Sequence, residues 1–314
     1  MESITRTHLL KLCVFASILL VGFIVLTQGD EGTIVPEASA EDDVGAFFQV
    51  DADHELLTVR YFNLKDKEKS GDSILIKSPE GKTLLIDSGN VNMGDQLNEL
   101  LDRLGVESLD YAVATHPHHD HIGGFFSLIS SRGIDHFYMP EIPVVSKVNQ
   151  AFHQLLAKRQ IHVDYLKKGD TFKLGSQVEI EVLNPGEILN KKKWSTKQIN
   201  QLALVLKVTY QNNTFLLASD IYKPTEAKLI EEYGIKLQAD VLHIPHHGHR
   251  TSSSKDFIEM ANPKYAIISS NTSNWKKVYK RLVGQGIDVY VTEKDGHIYI
   301  RSDGSSVEVS PDGN

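Results

Sequence analysis

Residues 116–121 read His-Pro-His-His-Asp-His, and no other stretch of this chain narrows its options as far. At the spacing His-x-His-x-Asp-His, His116, His118 and His121 share one tight turn with the carboxylate of Asp120. Such density has few uses except gripping a metal ion. Imidazole suits zinc, manganese and iron, and the carboxylate keeps harder ions in play. Residues 111–115 before the turn are apolar and β-branched, the pattern of a buried strand. Gly123 and Gly124 follow, then an apolar run at 125–129 that reads as a helix. The ligands therefore fall on a strand-to-helix turn at the carboxyl end of a strand, where open α/β sheets bind their ligands.

A second cluster supports the first. Of the 14 histidines, four lie in residues 116–121 and four in residues 243–249. His243 alternates with apolar neighbours and reads as structural. His246 or His247 reads as a ligand or catalytic group, and spacing alone does not choose between them. His119 lies between ligand positions and is expected to point elsewhere. Asp220 closes the run 214–219, where it either bridges two ions or caps the helix that begins near Pro224. Asp120 has two available roles, ligand or base toward a water.

The surrounding chain alternates in type. Runs at 57–64, 73–77 and 83–87 read as strands, and 93–104 as a helix closed by Gly105. A strand near 136–139, a helix at 145–159 and strands across 161–183 follow. Residues 202–210 and 214–219 read as a hairpin. Then come a helix at 224–233 stopped by Gly234, a strand at 240–244, a helix at 254–261, a strand at 265–270 and a helix at 275–283. Residues 288–309 close as β. Two β-rich halves each hand over to alternating β and α, so residues 56–310 read as one domain with two similar layers. At 41% hydrophobic and 24% charged residues, a core of this size needs no disulfide staples. The only cysteine is Cys13, so the domain offers no thiolate ligand.

Ahead of the domain, Arg6 and Lys11 flank an apolar run at 12–26, and Ala38-Ser39-Ala40 has the form of a cleavage site. Residues 1–40 therefore read as a signal peptide or an uncleaved anchor. Either leaves the remainder exported, secreted or held on the outer side of a bacterial cell membrane. Residues 41–55 are acidic and aperiodic and read as a linker. The net charge of −8 argues against a protein that coats nucleic acid non-specifically. It leaves room for a nuclease whose metal ions attract phosphate. Lys191, Lys192 and Lys193 with Trp194 form a basic, aromatic patch suited to backbone contact and base stacking.

Taken in order, Ile86-Asp87-Ser88-Gly89, Thr115 through His121, Ser219-Asp220 and His246-His247-Gly248 resemble the metallo-β-lactamase fold superfamily over residues 56–310. The resemblance implies an α/β fold, a four-layer αβ/βα sandwich with metals at one edge. Gly71-Asp72-Ser73 with the apolar run behind it, residues 239–248 and Thr251 through Ser254 are similar to the exported hydrolase domain of ComEC-type DNA-uptake proteins, as a stand-alone form. On that likeness His116 and His118 hold one ion, Asp120, His121 and His247 or His246 a second, and Asp220 bridges them. Asp87 braces the loop. Asn200 stands where many members have a histidine, and His249 where a serine is common. The expected cofactors are one or two divalent ions, zinc or manganese, whose bound water ionises near neutral pH. The expected catalytic residues are Asp120 and His249, with Asn200, Thr251 and Ser252 facing substrate. The expected activity is an exported metal-dependent hydrolase, a phosphodiesterase or nuclease acting on DNA or RNA. A lactone, ester or β-lactam hydrolase and a non-catalytic surface protein with a degenerate site are the alternatives. No protein partner is inferred, and membrane contact is expected only through the N-terminal segment.

Overall fold

Thr83–Ile86 is buried along its whole length, yet its side chains go two ways. Leu84 and Ile86 enter one apolar cluster and Leu85 another, as the two-residue period of a strand requires. A strand apolar on both faces belongs at the centre of a sheet covered on both sides. The computed structural model describes residues 45–66, 71–143, 146–188 and 194–313, and shows that arrangement twice. The first 44 residues, residues 67–70 and Lys191 through Lys193 lie outside the described residues.

The first sheet is laid down by β1 (Leu57–Tyr61), β2 (Ile74–Lys77), β3 (Thr83–Ile86), β4 (Ser108–Val113), β5 (Gly133–Met139) and β6 (Val163–Tyr165). The chain then builds the second sheet from β7 (Thr171–Leu174), β8 (Val178–Asn184), β9 (Val205–Tyr210), β10 (Asn213–Leu217), β11 (Val241–His243), β12 (Tyr265–Ile268) and β13 (Asp288–Val291). It returns to the first with β14 (Ile298–Ser302) and β15 (Val307–Pro311), β14 pairing antiparallel with β1. The strand orders are β15-β14-β1-β2-β3-β4-β5-β6 and β13-β12-β11-β10-β9-β8-β7. In each sheet the site-bearing strands are parallel neighbours, β3 beside β4 and β10 beside β11.

Three apolar clusters separate four layers. Between the sheets, Val59, Ile76 and Ile86 share a cluster with Ile180, Leu206 and Phe215. Outside the first sheet, α1 (Gly94–Arg103), α2 (His119–Ile122), α3 (Phe125–Ser131) and α4 (Lys147–Lys158) follow its strands, and Leu97, Phe125 and Phe152 pack with Leu85 and Phe137. The short α5 (Thr196–Gln201) precedes β9. Outside the second sheet lie α6 (Lys223–Tyr233), α7 (Lys255–Ala261) and α8 (Lys276–Val283), with Leu229, Phe257 and Leu282 on Leu242 and Ile268. The αβ/βα sandwich expected from the sequence is the fold observed. Caps explain the helix starts: the Ser146 side chain accepts from Asn149 N and that of Ser254 from Phe257 N.

One boundary needs correction. Residues 41–55 were expected as a linker, but from residue 45 the segment packs onto the domain. Phe47 is buried and stacks on His297 with ring centroids 4.5 Å apart. Asp53 is buried too, held by Arg60 Nη2 at 2.7 Å and by Tyr299 Oη at 2.8 Å. Aromatic burial and a paired charge outweigh the local lack of period. Among the described residues no helix is long and apolar enough to cross a membrane.

Candidate metal centre

Four strands of like direction end at one edge, and each hands its next residues to the site. β3 ends into Asp87, β4 into Thr115 and His116, β10 into Ser219 and Asp220, and β11 into the turn Pro245–Gly248. β2 runs antiparallel to β3, with Ile74 opposite Ile86, so Asp72, two residues before β2, reaches the same edge.

Asp220 is the point on which the donors converge. Its Oδ2 lies 3.5 Å from His121 Nε2, 3.8 Å from His246 Nε2 and 4.0 Å from His116 Nε2, and its Oδ1 3.7 Å from His247 Nε2. Donor atoms of Asp72, His121, Asp220 and His247 all lie within 4.8 Å of one another. Ligands bound at ~2.1 Å around a tetrahedral ion sit roughly 3.4 Å apart, so the two tightest of these separations are already near ligand spacing.

The hydrogen bonds fix which ring nitrogens face the centre. A hydroxyl has one proton and two lone pairs. Thr115 Oγ1 donates to Asp87 Oδ2 at 2.7 Å and accepts from Ser219 Oγ at 2.8 Å, so it must accept from His116 Nδ1 at 3.1 Å. His121 Nδ1 donates to Asp87 Oδ2 at 2.7 Å, and His247 Nδ1 to the Ser269 carbonyl at 2.9 Å. In all three rings Nδ1 is spent and Nε2 points to the centre, the outer bracing common to metal-bound histidines. Asp87 thus braces the loop as its place in the sequence suggests.

The local backbone is bent to achieve this. Asp87, Ser219, His246 and His247 all have positive φ, between 45° and 58°. Such conformations cost ~1–3 kcal/mol each for non-glycine residues and persist where the surroundings hold them. Successive left-handed residues at 246 and 247 bring both rings to Asp220 from one turn. Glycine is needed where the turns touch: a Cβ on Gly124 would lie 2.1 Å from Ser88 O, and one on Gly71 2.9 Å from Asp120 O.

The electrostatics are those of a buried charged cluster. Burial works against a charge on His121 and His247, but Asp87 and Asp220 hold the first well above the usual imidazole range. Asp72 and Asp220 hold His247 up at about 10. Burial, with the charge of His121 next, depresses His116 strongly and brings His118 down to about 4. Asp220 is held far below the usual carboxylate range: burial opposes its charge, but His247 and His121 outweigh it. Among the described residues, His118 Nε2, His121 Nε2, His247 Nε2, Asp220 Oδ1 and both Asp72 oxygens are buried without a hydrogen-bond partner. Buried polar atoms seldom stay unsatisfied. Their convergence, and a donor set of imidazoles and carboxylates, fit one or two divalent cations.

The remaining expected site residues fall into place unevenly. His118 Nδ1 lies 3.0 Å from His116 Nε2. Asp120 stays outside the group of four: its carboxylate is partly exposed and 4.0 Å from His119 Nδ1. His119 points outward, about half exposed. Thr251 Oγ1 lies 2.7 Å from His246 Nδ1 and 2.9 Å from His249 Nδ1, so it organises those rings. Two expectations are corrected. Ser252 is fully buried and donates to Ile221 O at 2.6 Å, so its hydroxyl belongs to the fold and faces no substrate. Asn200 is buried and donates to Asp220 Oδ2 at 3.3 Å, orienting the carboxylate from behind. Asp220 does not cap α6, whose N-cap is Tyr222. Sequence reasoning gave no role to Asp72, although an acid two residues ahead of the buried apolar run at 74–76 was a usable signal.

A family model described as the metallo-beta-lactamase superfamily matches residues 66–187, which include the metal turn. Over those residues the chain is similar to the metallo-β-lactamase superfamily, and it has that fold. The chain is 26% identical over 253 residues to ComE operon protein 3 of Bacillus subtilis, covering 74% of this chain and 32% of that protein. It is 30% identical to Competence protein ComA of Neisseria gonorrhoeae, covering 72% of this chain and 30% of that one. The chain thus spans about a third of the length of these two relatives. The metallo-beta-lactamase fold protein YhfI of Bacillus subtilis superposes with a TM-score of 0.50 at 15% identity, over 75% of this chain and 96% of that one. At that identity the likeness concerns the fold.

Proposed function

We propose that this protein is a metal-dependent phosphodiesterase that acts on DNA or RNA on the outer side of a bacterial membrane. The observation that carries the reading is the convergence on Asp220 of buried, unpartnered histidine and aspartate atoms from both sheets. His116 and His118 would hold one zinc or manganese ion, and His121, His247 and Asp220 another. Bound there, divalent ions lower the pKa of an attacking water and neutralise phosphoryl oxygens. The chain's own groups divide the remaining work. Asp87 and Thr115 hold His121 and His116 in the donor tautomer. Asp120, partly exposed beside the centre, takes a proton from the water. His246 is held below the usual imidazole range, chiefly by burial, so it is neutral near pH 7 and free to exchange a proton with Thr251 and His249 toward the leaving oxygen.

Two features support a nucleic-acid substrate. One relative is a competence protein by name, and competence is the uptake of DNA. In addition, α5, whose Asn200 reaches Asp220, lines with Gln198 and Gln201 a groove of about 340 Å³. Trp194 and Lys228 stand on its other walls, an aromatic platform beside a cation, while Lys168 there is paired with Glu232 at 2.8 Å. Export rests on the apolar run at 12–26 and Ala38-Ser39-Ala40. A panel of bis-p-nitrophenyl phosphate, single- and double-stranded DNA, RNA, a lactone and a β-lactam, each with zinc and with manganese, tests the reading. Turnover of the phosphodiesters alone is expected. Turnover of only the lactone or β-lactam would replace it.

A further inference from the structure

Asp72 is the residue of the centre for which neither the metal turn nor the His246-His247 turn accounts. It is 1% exposed and stands at the head of β2. Its position is built from both sides: the Asp72 carbonyl accepts from Gly89 N at 2.8 Å, and Gly71 is pressed against Gly89 and the Asp120 carbonyl so closely that no Cβ fits. That packing leaves the carboxylate little freedom. Among the described residues no arginine or lysine neutralises it. Its nearest polar neighbours across the sheets are His247 Nδ1 at 3.3 Å and His243 Nε2 at 3.6 Å, neither at hydrogen-bond geometry. His247 Nδ1 already donates to Ser269 O, and His243 is itself buried with both ring nitrogens unpartnered. A buried carboxylate without hydrogen bonds is costly unless it is paired or coordinates a metal. The same carboxylate lies within 4.8 Å of donors from His121, Asp220 and His247.

We infer that Asp72 is itself a metal ligand and that it makes the two sides of the centre unequal. On one side stand His116 and His118, two imidazoles with no carboxylate of their own. On the other stand His121 and His247 with two carboxylates, Asp72 and Asp220, whose charges together balance one divalent ion. The carboxylate-bearing side fills first as metal is added. Carboxylate oxygen suits manganese better than imidazole does. Removing it therefore weakens manganese binding more than zinc binding. Histidine pairs without that carboxylate form the weaker position, so a chain given limiting metal holds one ion, at the Asp72 side. The inference rests on the metal centre of the proposed function and not on its substrate.

The test is a titration of the full-length, metal-stripped protein with manganese and with zinc, in wild type, Asp72→Asn, His247→Ala and the double variant. Circular dichroism checks each fold. Asp72→Asn is expected to lose more than ~100-fold in manganese affinity, above the ~10–100-fold typical of groups that only support a ligand, and roughly ten-fold less than that in zinc affinity. If Asp72 binds metal directly, its loss persists in the His247→Ala background. If the loss disappears there, Asp72 acts through His247 and the assignment is overturned. Equal binding by wild type and Asp72→Asn overturns it as well. A wild type that binds neither ion overturns the metal centre as a whole, a distinguishable result. Anomalous diffraction from wild-type crystals grown with limiting manganese decides the matter without a variant. An ion ~2.2 Å from an Asp72 oxygen supports the assignment, and a first ion bound at His116 and His118 overturns it.

Discussion

The two sheets bring histidines to the same carboxylate by different means. In the first, the turn after β4 is tied at many points. Ser88 N donates to His121 O at 2.8 Å, Ser88 Oγ to the same carbonyl at 3.0 Å, and Phe125 N to Ser88 Oγ at 2.9 Å, while Asp87 receives both Thr115 and His121. In the second, the turn after β11 relies on conformation. His246, His247 and Gly248 are all left-handed, and the ring of His247 is held mainly through one main-chain carbonyl. The first half is a preset cradle, and the second is a strained arm that closes on it. Asp220 belongs by sequence to the second half, yet His116 and His121 of the first face it. It is the residue that joins them.

If that comparison is right, Asp220→Ala has the largest effect. It removes the shared carboxylate from both halves, so phosphodiester hydrolysis should fall by ~100-fold or more. Steady-state rates at saturating metal measure it, and wild-type rates in the variant would break the comparison. Asp120→Ala, read as the group that takes the proton, should also fall by ~100-fold or more, with metal retained. His119→Ala should stay near wild type, because that ring faces solvent.

Next in size is Asp87→Ala, which touches only the cradle. It strips the acceptor from His121 Nδ1 and from Thr115 and should weaken metal binding by ~10–100-fold. Isothermal titration checks this, and unchanged affinity would show that the cradle does not orient its rings.

Much of this was legible in the sequence because it is local. Residues 116–121 and 246–248 each carry their donors within one turn, and an apolar run before each announces the strand that delivers it. The layer pattern was legible for the same reason, since two-residue alternation in runs such as 83–87 gives the buried faces. What depends on distance in the chain was not. Asp72 acquires meaning only because β2 runs antiparallel beside β3 and because its carboxylate comes within 3.6 Å of His243 of β11 in the other sheet. Ser252 looked available because polar residues surround it, but the turn folds it under Ile221 O. The anchoring of residues 45–53 depends on Arg60, Tyr299 and His297, two of them more than 240 residues away, as the separation of 246 between Asp53 and Tyr299 illustrates.

The strained arm is tested by Gly248→Ala. Gly248 has φ of +73°, and an added Cβ would lie 2.8 Å from Trp275 Cβ. A loss of ~1–3 kcal/mol is expected, seen as a fall in Tm of several degrees. An unchanged Tm would mean that the arm relaxes without cost and is not strained.

The smallest effect lies outside the centre and serves as its control. His297 is held down at about 4 by burial, with help from Arg103 and Lys65, and its Nδ1 accepts from Asn63 N at 2.9 Å. In the unfolded chain a histidine titrates near ~6.5. Between those values the unfolded chain binds the proton and the folded one refuses it. The stability contributed by a neutral His297 is therefore complete above ~6.5 and is lost as pH falls toward about 4. Thermal melts of wild type and His297→Gln across that window should show a shallower decline in the variant, with metal affinity unaltered. Parallel pH profiles would refute it.

The claim that both halves build a single metal centre on Asp220 is tested most directly by elemental analysis of the purified protein after reconstitution with zinc or manganese, wild type beside Asp220→Ala. Wild type should retain at least one ion per chain through gel filtration, and the variant should lose it. A wild type that emerges metal-free with both ions, or a variant that keeps as much as wild type, would contradict the account.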